Sequence, residues 1–546
     1  MRLWEFIGSK FLFHERPADE PFILDESKEK THQKFYDIYG KKEAVKISSS
    51  LRYNVDYMKQ RYYYEKNSDL ILRDFNVTVQ GKQIPAAAFF FDGLVNKQLI
   101  GQLIMMPVLK EINEDVKPGK MADYLMRNVI SQNQVKLVVS FDRVLEELNF
   151  GGCIIFVDGC AEALVMDVKG WEHRSISDAK NEVTIKGPQE AFCEVLRINT
   201  ALIRKTLKNE ALVNQNFTIG EMSKTPTSLL YINNIANQEL VQEVQRRLNN
   251  IKVSYVMDTG ELEQFLMGDE MMLTPQVLST ERPDRVAMAL NEGKIAILLD
   301  GSPYALILPI NITSFINLTE DRYMKYNMTN FLRVIRLVSL VASLMLPAFF
   351  ISVVGFHPEI LETELFFTIE NAKAQTPFPL LIELFAMEFA FELIKEAGLR
   401  IPGPIGPTIG IVGALIMGQA AVEAKIASSI LIIVVAFTGL GSFATPSYDY
   451  AFSLRVTRFF YTVAAAVFGF FGIALVLFVH ASVLCSANSL GVPFITPVAP
   501  HTGKNTFDTF FVKPLWKQEF RDDSLQTQLK VKQPKISKVW KNNQKY

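Results

Sequence analysis

The chain has 546 residues, with 57 Lys and Arg against 58 Asp and Glu, and 49% of it is hydrophobic. That length exceeds one ordinary core, so two or more domains are expected. The near-zero net charge excludes a polyanion binder that draws its affinity from counterion release, and with it nucleic acid as a partner. Four cysteines without CxxC spacing and six scattered histidines without HExxH indicate neither a disulfide framework nor a metal site.

Charge is concentrated before residue 336 and after 503, so the two halves are expected in different solvents. The opening MRLWEFIGSKFLFHERPADE is amphipathic and short, without the long apolar core of a secretory signal. The front half is therefore expected in the cytosol. Residues 1–66 read as a polar extension and 515–546 as a polar, charge-mixed end, both disordered or peripheral by default.

From 67 to 185 the pattern predicts a first small α/β subdomain: a strand over 70–77, a strand into FFFDG, a helix over 97–110, a helix over 141–149 and a hairpin over 151–168. The hairpin turns at Asp158-Gly159, where glycine supplies a positive φ. Residues 186–210 predict a linking helix. A second α/β subdomain follows over 211–330, with helices over 238–250 and 283–292, a strand KVSYVMD over 252–258 and a hairpin over 294–310 turning at Asp300-Gly301. The order repeats, so a duplicated unit is expected. The Asp-Gly pairs are explained by turn chemistry without any ligand.

Residues 331–500 form the predicted all-α polytopic membrane domain, with four to six spans. The 20 residues 337–356 are uncharged and mainly apolar, enough to cross a hydrocarbon layer about 30 Å thick. Arg333 and Arg336 precede them and orient the entry end to the cytoplasm, and Arg455 and Arg458 do the same for a last run from 459 to 484. Runs over 401–422 and 426–448 read as a tight helical hairpin. Between them and the first span lies an apolar helix carrying Glu383, Glu388, Glu392 and Glu396, the last three along one stripe with Lys395. A carboxylate at mid-bilayer costs a few kcal/mol unless it is neutral, paired or facing water. This helix is either amphipathic at the interface or lines a water-filled path, and a path lined by carboxylates favours cations. Gly406, Gly410, Gly413, Ala414 and Gly418 give small residues at helical spacing, the pattern of close helix packing. If the acidic helix crosses, five spans put the C-terminus outside. The basic tail 501–546, with Lys530, Lys532, Lys535, Lys538, Lys541 and Lys545, favours the inside. An even count calls for a re-entrant acidic helix or an added half-span near 357–370 or 485–500.

Five stretches carry a resemblance: DLILRDF (69–75), KGPQEAFCEVLRINTALIRKTL (186–207), RPDRVAMALNEGKIAILLDGSPYALILP (282–309), MEFAFELIKEAGLRIPGPIGPTIGIVGALIMGQAAVEA (387–424) and GVPFITPVAP (491–500). Together they resemble the A subunit of the GerA family of bacterial spore germinant receptors, over residues 67–512. The resemblance implies a multi-pass protein of the spore inner membrane with its soluble domain on the core side. It implies as partners a transporter-like B subunit and a C-subunit lipoprotein. It also implies a homo-oligomer, a pentamer, acting as a nutrient-gated channel for monovalent cations. Some members of this family accompany the dipicolinate channel instead. Besides a channel, the residues admit a secondary transporter built on a broken helix near Pro402, Pro404 and Pro407, or a scaffold that conducts nothing. An enzyme is not expected: there is no GxxxxGK[ST] loop, no nucleophile with a base, and no cofactor motif.

Overall fold

The computed structural model describes residues 45–114, 116–170, 182, 184–269, 272–400, 413, 416–500 and 511–534. Helix α1 (Leu51–Arg61) leads into β1 (Leu70–Val79) and β2 (Lys82–Phe91). After a helical segment starting at Lys97 come β3 (Val135–Val138), α2 (Phe141–Asn149), β4 (Gly152–Val157) and β5 (Ala163–Asp167). The second unit repeats this order: α3 (Leu196–Thr206), β6 (Leu212–Ile219), β7 (Thr225–Ile232), α4 (Gln238–Asn250), α5 (Thr259–Leu266), β8 (Leu278–Thr280), α6 (Pro283–Glu292), β9 (Ile295–Leu299) and β10 (Ala305–Leu308). Each unit folds as a five-stranded sheet, in the orders β1-β2-β4-β5-β3 and β6-β7-β9-β10-β8. The strand pairs are antiparallel, with Ile154 opposite Val165 in the first hairpin and Ile297 opposite Leu306 in the second.

The central strands β4 and β9 are buried along their whole length. Helices cover both faces, so every residue must be apolar, and this is why a soluble hairpin looks like a membrane segment in sequence. On one face of the first sheet lie α1 and α2, with Met58, Tyr62, Phe141 and Val144 buried against Phe89 and Phe156. The other face is covered by Ile100, Ile104, Met121 and Leu125.

The repeat begins earlier than the sequence pattern suggests. Gly159 N–H donates to Ser49 O at 2.8 Å, and Asp158 Oδ1 accepts from Leu51 N, the first residue of α1, at 3.0 Å. In the second unit Gly301 N–H donates to Glu194 O at 2.7 Å, and Asp300 Oδ1 accepts from Leu196 N, the first residue of α3, at 3.0 Å. Gly159 and Gly301 hold φ of 85° and 90°, so each turn can aim its aspartate at an orphan helix N–H. The helix before each sheet is thus an integral part of its unit. Residues 45–66 belong to the first unit and not to a polar extension. The predicted linking helix shortens to α3, which opens the second unit.

Two further expectations change. KVSYVMD is irregular: it bonds to the 220–225 loop through Val253 O and Ser254 O, and the edge position of the sheet is filled by β8. Nor do the described residues of the tail lie apart from the fold. Residues 511–534 strap across the second unit, where Arg521 is buried and donates to the carbonyls of Asn291, Leu529 and Val531, while Gln528 Nε2 donates to those of Asn233 and Ala236.

The helical part contains α7 (Tyr326–Phe356), α8 (Thr363–Ala374), α9 (Leu380–Arg400), α10 (Ser429–Phe443), α11 (Tyr448–Phe468) and α12 (Phe470–Ser486). By length and composition two of these could cross a membrane, α7 and α11, while α10 and α12 are shorter and apolar. Contacts fix the direction of each. The α11 end near the α/β part is marked by Tyr450, stacked on Phe315 at 5.1 Å. The chain then reverses at Gly469, whose φ of 60° and ψ of −139° only glycine adopts readily. Tyr461 Oη consequently meets His480 Nδ1 at 3.2 Å, 19 residues on, where a continuous helix would hold them about 28 Å apart. The predicted single run over 459–484 is therefore two antiparallel helices, α11 and α12, that reverse at Gly469. Phe349 of α7 packs on Phe470 at this far end. Beyond α12 the chain returns to the α/β part, where Ser489 Oγ donates to Gln276 O at 2.7 Å.

Candidate functional site

Helix α9 starts at the end remote from the sheets. There Glu383 is buried, accepts from the Thr376 hydroxyl, and accepts from Ser428 N–H at 3.3 Å at the start of α10. At its other end Lys395 Nζ lies 3.4 Å from Ser442 Oγ and 4.5 Å from the centroid of the Phe443 ring. Helices α9 and α10 thus run in the same direction, toward the sheets. Gly413 lies against Ile394 and Gly418 against Ile432, so the later of these two glycines lies farther from the sheets. Gly406, Gly410 and Ala414 lie outside the described residues. Close helix packing is seen at Gly441 of α10, where a Cβ would come within 2.7 Å of Ser339 O in α7.

In the middle of this bundle is a ladder of charge. Arg458 is 3% exposed and Glu388 1% exposed, with Arg458 Nε 3.2 Å from Glu388 Oε1. The approach is off-axis, and neither that nitrogen nor either Glu388 oxygen makes a hydrogen bond. The contact is therefore coulombic and lacks the directional part of an ion pair. One turn along, Arg455 Nη1 donates to Glu392 Oε2 at 2.6 Å, and Arg458 Nη2 reaches Glu392 Oε1 at 3.5 Å. Arg455 Nε and Nη2 have no hydrogen-bond partner, although the guanidinium rests on Phe452 with 5.2 Å to the ring centroid. Glu396, a turn further along the stripe, is exposed.

The sequence thus identified the residues of the ladder but not their pairing. Arg455 and Arg458 sit inside α11, facing Glu392 and Glu388. The i, i+3 arginines and the i, i+4 glutamates have matching pitch, and that is the signal that could have joined them. Arg333 and Arg336 are also engaged: Asp321 accepts from Arg333 Nε at 3.2 Å and from Arg336 at 2.9 Å through both oxygens. Asp321 was not singled out in the sequence. Among the described residues no group of three or more His, Cys, Asp or Glu could hold a metal.

A duplicated α/β domain is continuous with an apolar helical bundle that carries buried ion pairs, and two helices of that bundle are long and apolar enough to cross a membrane. Residues 56–524 match the family described as the Bacillus/Clostridium GerA spore germination protein, and the chain belongs to that family. It is 35% identical to spore germination protein KA of Bacillus subtilis (strain 168) over 498 residues, covering 91% of this chain and 90% of that one. It is 34% identical to the uncharacterized membrane protein YfkQ of the same organism, covering 86% of this chain and 90% of that one. The crystal structure of the N-terminal domain of the A subunit of the Bacillus megaterium spore germinant receptor GerK3 is 26% identical, covering 49% of this chain and 97% of that chain, at a TM-score of 0.36.

Proposed function

We propose that this protein is the membrane-embedded A-type subunit of a spore germinant receptor, and that copies of it assemble, as a pentamer, into a channel for monovalent cations. In this reading it resides in the spore inner membrane with the α/β domain and C-terminal tail on the core side. It works with a transporter-like B subunit, which senses the nutrient, and a C-subunit lipoprotein. The six passes are α7, α9, the segment returning through 413–423, α10, α11 and α12. Phe437, Leu440, Phe471 and Phe478 are exposed on the bundle, an apolar surface suited to lipid or to neighbouring copies.

The observation that carries the reading is the Glu388–Arg458 and Glu392–Arg455 ladder with its unfilled hydrogen-bonding capacity. A half-satisfied network in an apolar setting favours rearrangement to a state in which water completes it. Glu383, Glu388, Glu392 and Glu396 are then the acids beside the ion path, sealed by the arginines when closed and hydrated when open. Nutrient binding to the partner drives the change only through different contacts with the two states. Purified complex in liposomes is expected to pass potassium on addition of nutrient, and Glu388→Gln and Glu392→Gln are expected to alter conduction or selectivity. Unaltered conduction in both variants removes these residues from the path, and a complex that passes no ions is a scaffold.

A further inference from the structure

A cleft of about 290 Å³ lies where the second α/β unit, the start of α7 and the C-terminal strap meet. Five cationic and three acidic side chains line it. The acids are engaged. Glu292 accepts from Arg322 at 2.6 Å and also from Lys532, Asp321 holds Arg333 and Arg336, and Asp522 accepts from Asn311 Nδ2 at 3.1 Å. Lys294 differs. Its ammonium donates to Ser314 Oγ at 2.8 Å, and among the described residues no carboxylate lies within ion-pair distance of it. An ammonium has three N–H donors, so two remain. Arg285 converges on the same residue, with Nη2 donating to Ser314 O at 3.0 Å and Nη1 to Glu182 Oε1 at 2.9 Å. Asn317 also lines the cleft, and its side-chain oxygen is buried without a partner.

Lys294 is half-buried at the wall of the cleft with one hydroxyl as its hydrogen-bond partner, so it has capacity for an anion. Burial holds the Lys294 pKa down to about 8, with Asp522 and Glu292 acting to raise it and Arg285 to lower it. The missing partner is an anion, and the cleft has room for a small one.

We infer that this cleft binds an oxyanion, a phosphate or a carboxylate group, with Lys294 and Arg285 as its cationic contacts and the Asn317 amide, turned to present its nitrogen, as a third donor. The strap contributes Phe520, Asp522 and Lys532 to the same wall, and α7 contributes Arg333. A bound anion therefore lies beside both the tail and the first long helix. Its source is either a soluble anion or the headgroup of a lipid beside α7. Conduction by the bundle is not required.

The test is binding of radiolabelled inorganic phosphate to the full chain in lipid-free detergent, at fixed ionic strength with chloride as the control anion. Saturable binding of one phosphate per chain is expected, weakened about tenfold or more by Lys294→Met, the loss of one charged hydrogen bond. Asn317→Asp, which adds a like charge to the wall without emptying it, is expected to weaken binding by a similar factor and keeps the test decisive if Lys294→Met does not fold. Repeating the measurement in nanodiscs of phosphatidylcholine, and of equal parts phosphatidylcholine and phosphatidylglycerol, separates the sources: a headgroup ligand displaces phosphate in the second, and a soluble ligand does not. Absence of saturable binding in detergent, or variants that bind as tightly as the wild type, overturns the assignment.

Discussion

Replacing Arg458 alone should damage the bundle far more than replacing it together with Glu388. The two charges lie 3.2 Å apart at 3% and 1% exposure. At an effective dielectric of about 20 their attraction is about 5 kcal/mol, and desolvation of the two ions offsets most of it. The pair as a whole is therefore nearly neutral for stability. Arg458→Gln leaves Glu388 enclosed without its counter-charge, and removes the 3.5 Å approach of Arg458 Nη2 to Glu392. The expected loss is about 3–5 kcal/mol. Glu388→Gln with Arg458→Gln removes both charges, keeps nearly the same shapes and leaves Arg455 on Glu392, so its expected loss is within about 1–2 kcal/mol. Denaturation of the purified full chain in one detergent, for wild type, both singles and the double, gives the coupling energy directly. Equal losses for Arg458→Gln and the double, or a single variant as stable as the wild type, would refute the argument that these charges compensate each other.

Two other expectations concern the α/β domain. Arg204 of α3 is buried against Asp69 at 2.7 Å, donates to Asn67 and to Leu212 O, and lies 4.1 Å from the centroid of the Phe91 ring, so it clamps the second unit to the first. Arg204→Met should cost about 3–5 kcal/mol because Asp69 stays buried, and adding Asp69→Asn should recover much of it, read from the same denaturation curves. Glu263 lies close to Asp449 at the sheet-side end of α11; burial first, and then the Asp449 carboxylate, push its pKa up to about 7. A carboxyl raised above its unfolded value favours folding fully below about pH 4.5, and that contribution fades as pH rises through 7. Glu263→Gln should therefore gain about 2–3 kcal/mol over the wild type at pH 8 and nearly nothing at pH 4.5, and a pH-independent difference would exclude this cause.

Much of the α/β part was legible because its signals are local. Helices over 141–149, 238–250 and 283–292 follow from apolar periodicity, and the Asp-Gly turns follow from the need for a positive φ. What escaped is non-local. Val135–Val138 and Leu278–Thr280 are short edge strands, whose place depends on pairing with β5 and β10. The polar composition of 45–66 also hid its role. Only Ile47, Met58 and Tyr62 of this segment are buried in the core, and three side chains so spaced give no periodicity to read.

In the helical part the same distinction has a functional consequence. Hydropathy locates apolar runs, but it cannot tell one long helix from two that reverse, because the residues before and after Gly469 are equally apolar. Arg455 and Arg458 lie in the first half of α11, whose start packs on the α/β part, and there they are paired with Glu392 and Glu388. With the reversal at Gly469 the chain leaves α12 on the side of the α/β part, and the described residues 511–534 lie against the second unit. The strap's contacts through Arg521 and Gln528 require that same side. In the proposed channel the antiparallel pair of α11 and α12 therefore meets two needs at once: α11 sets the arginines against the acids, and α12 brings the chain back to the side of the α/β domain.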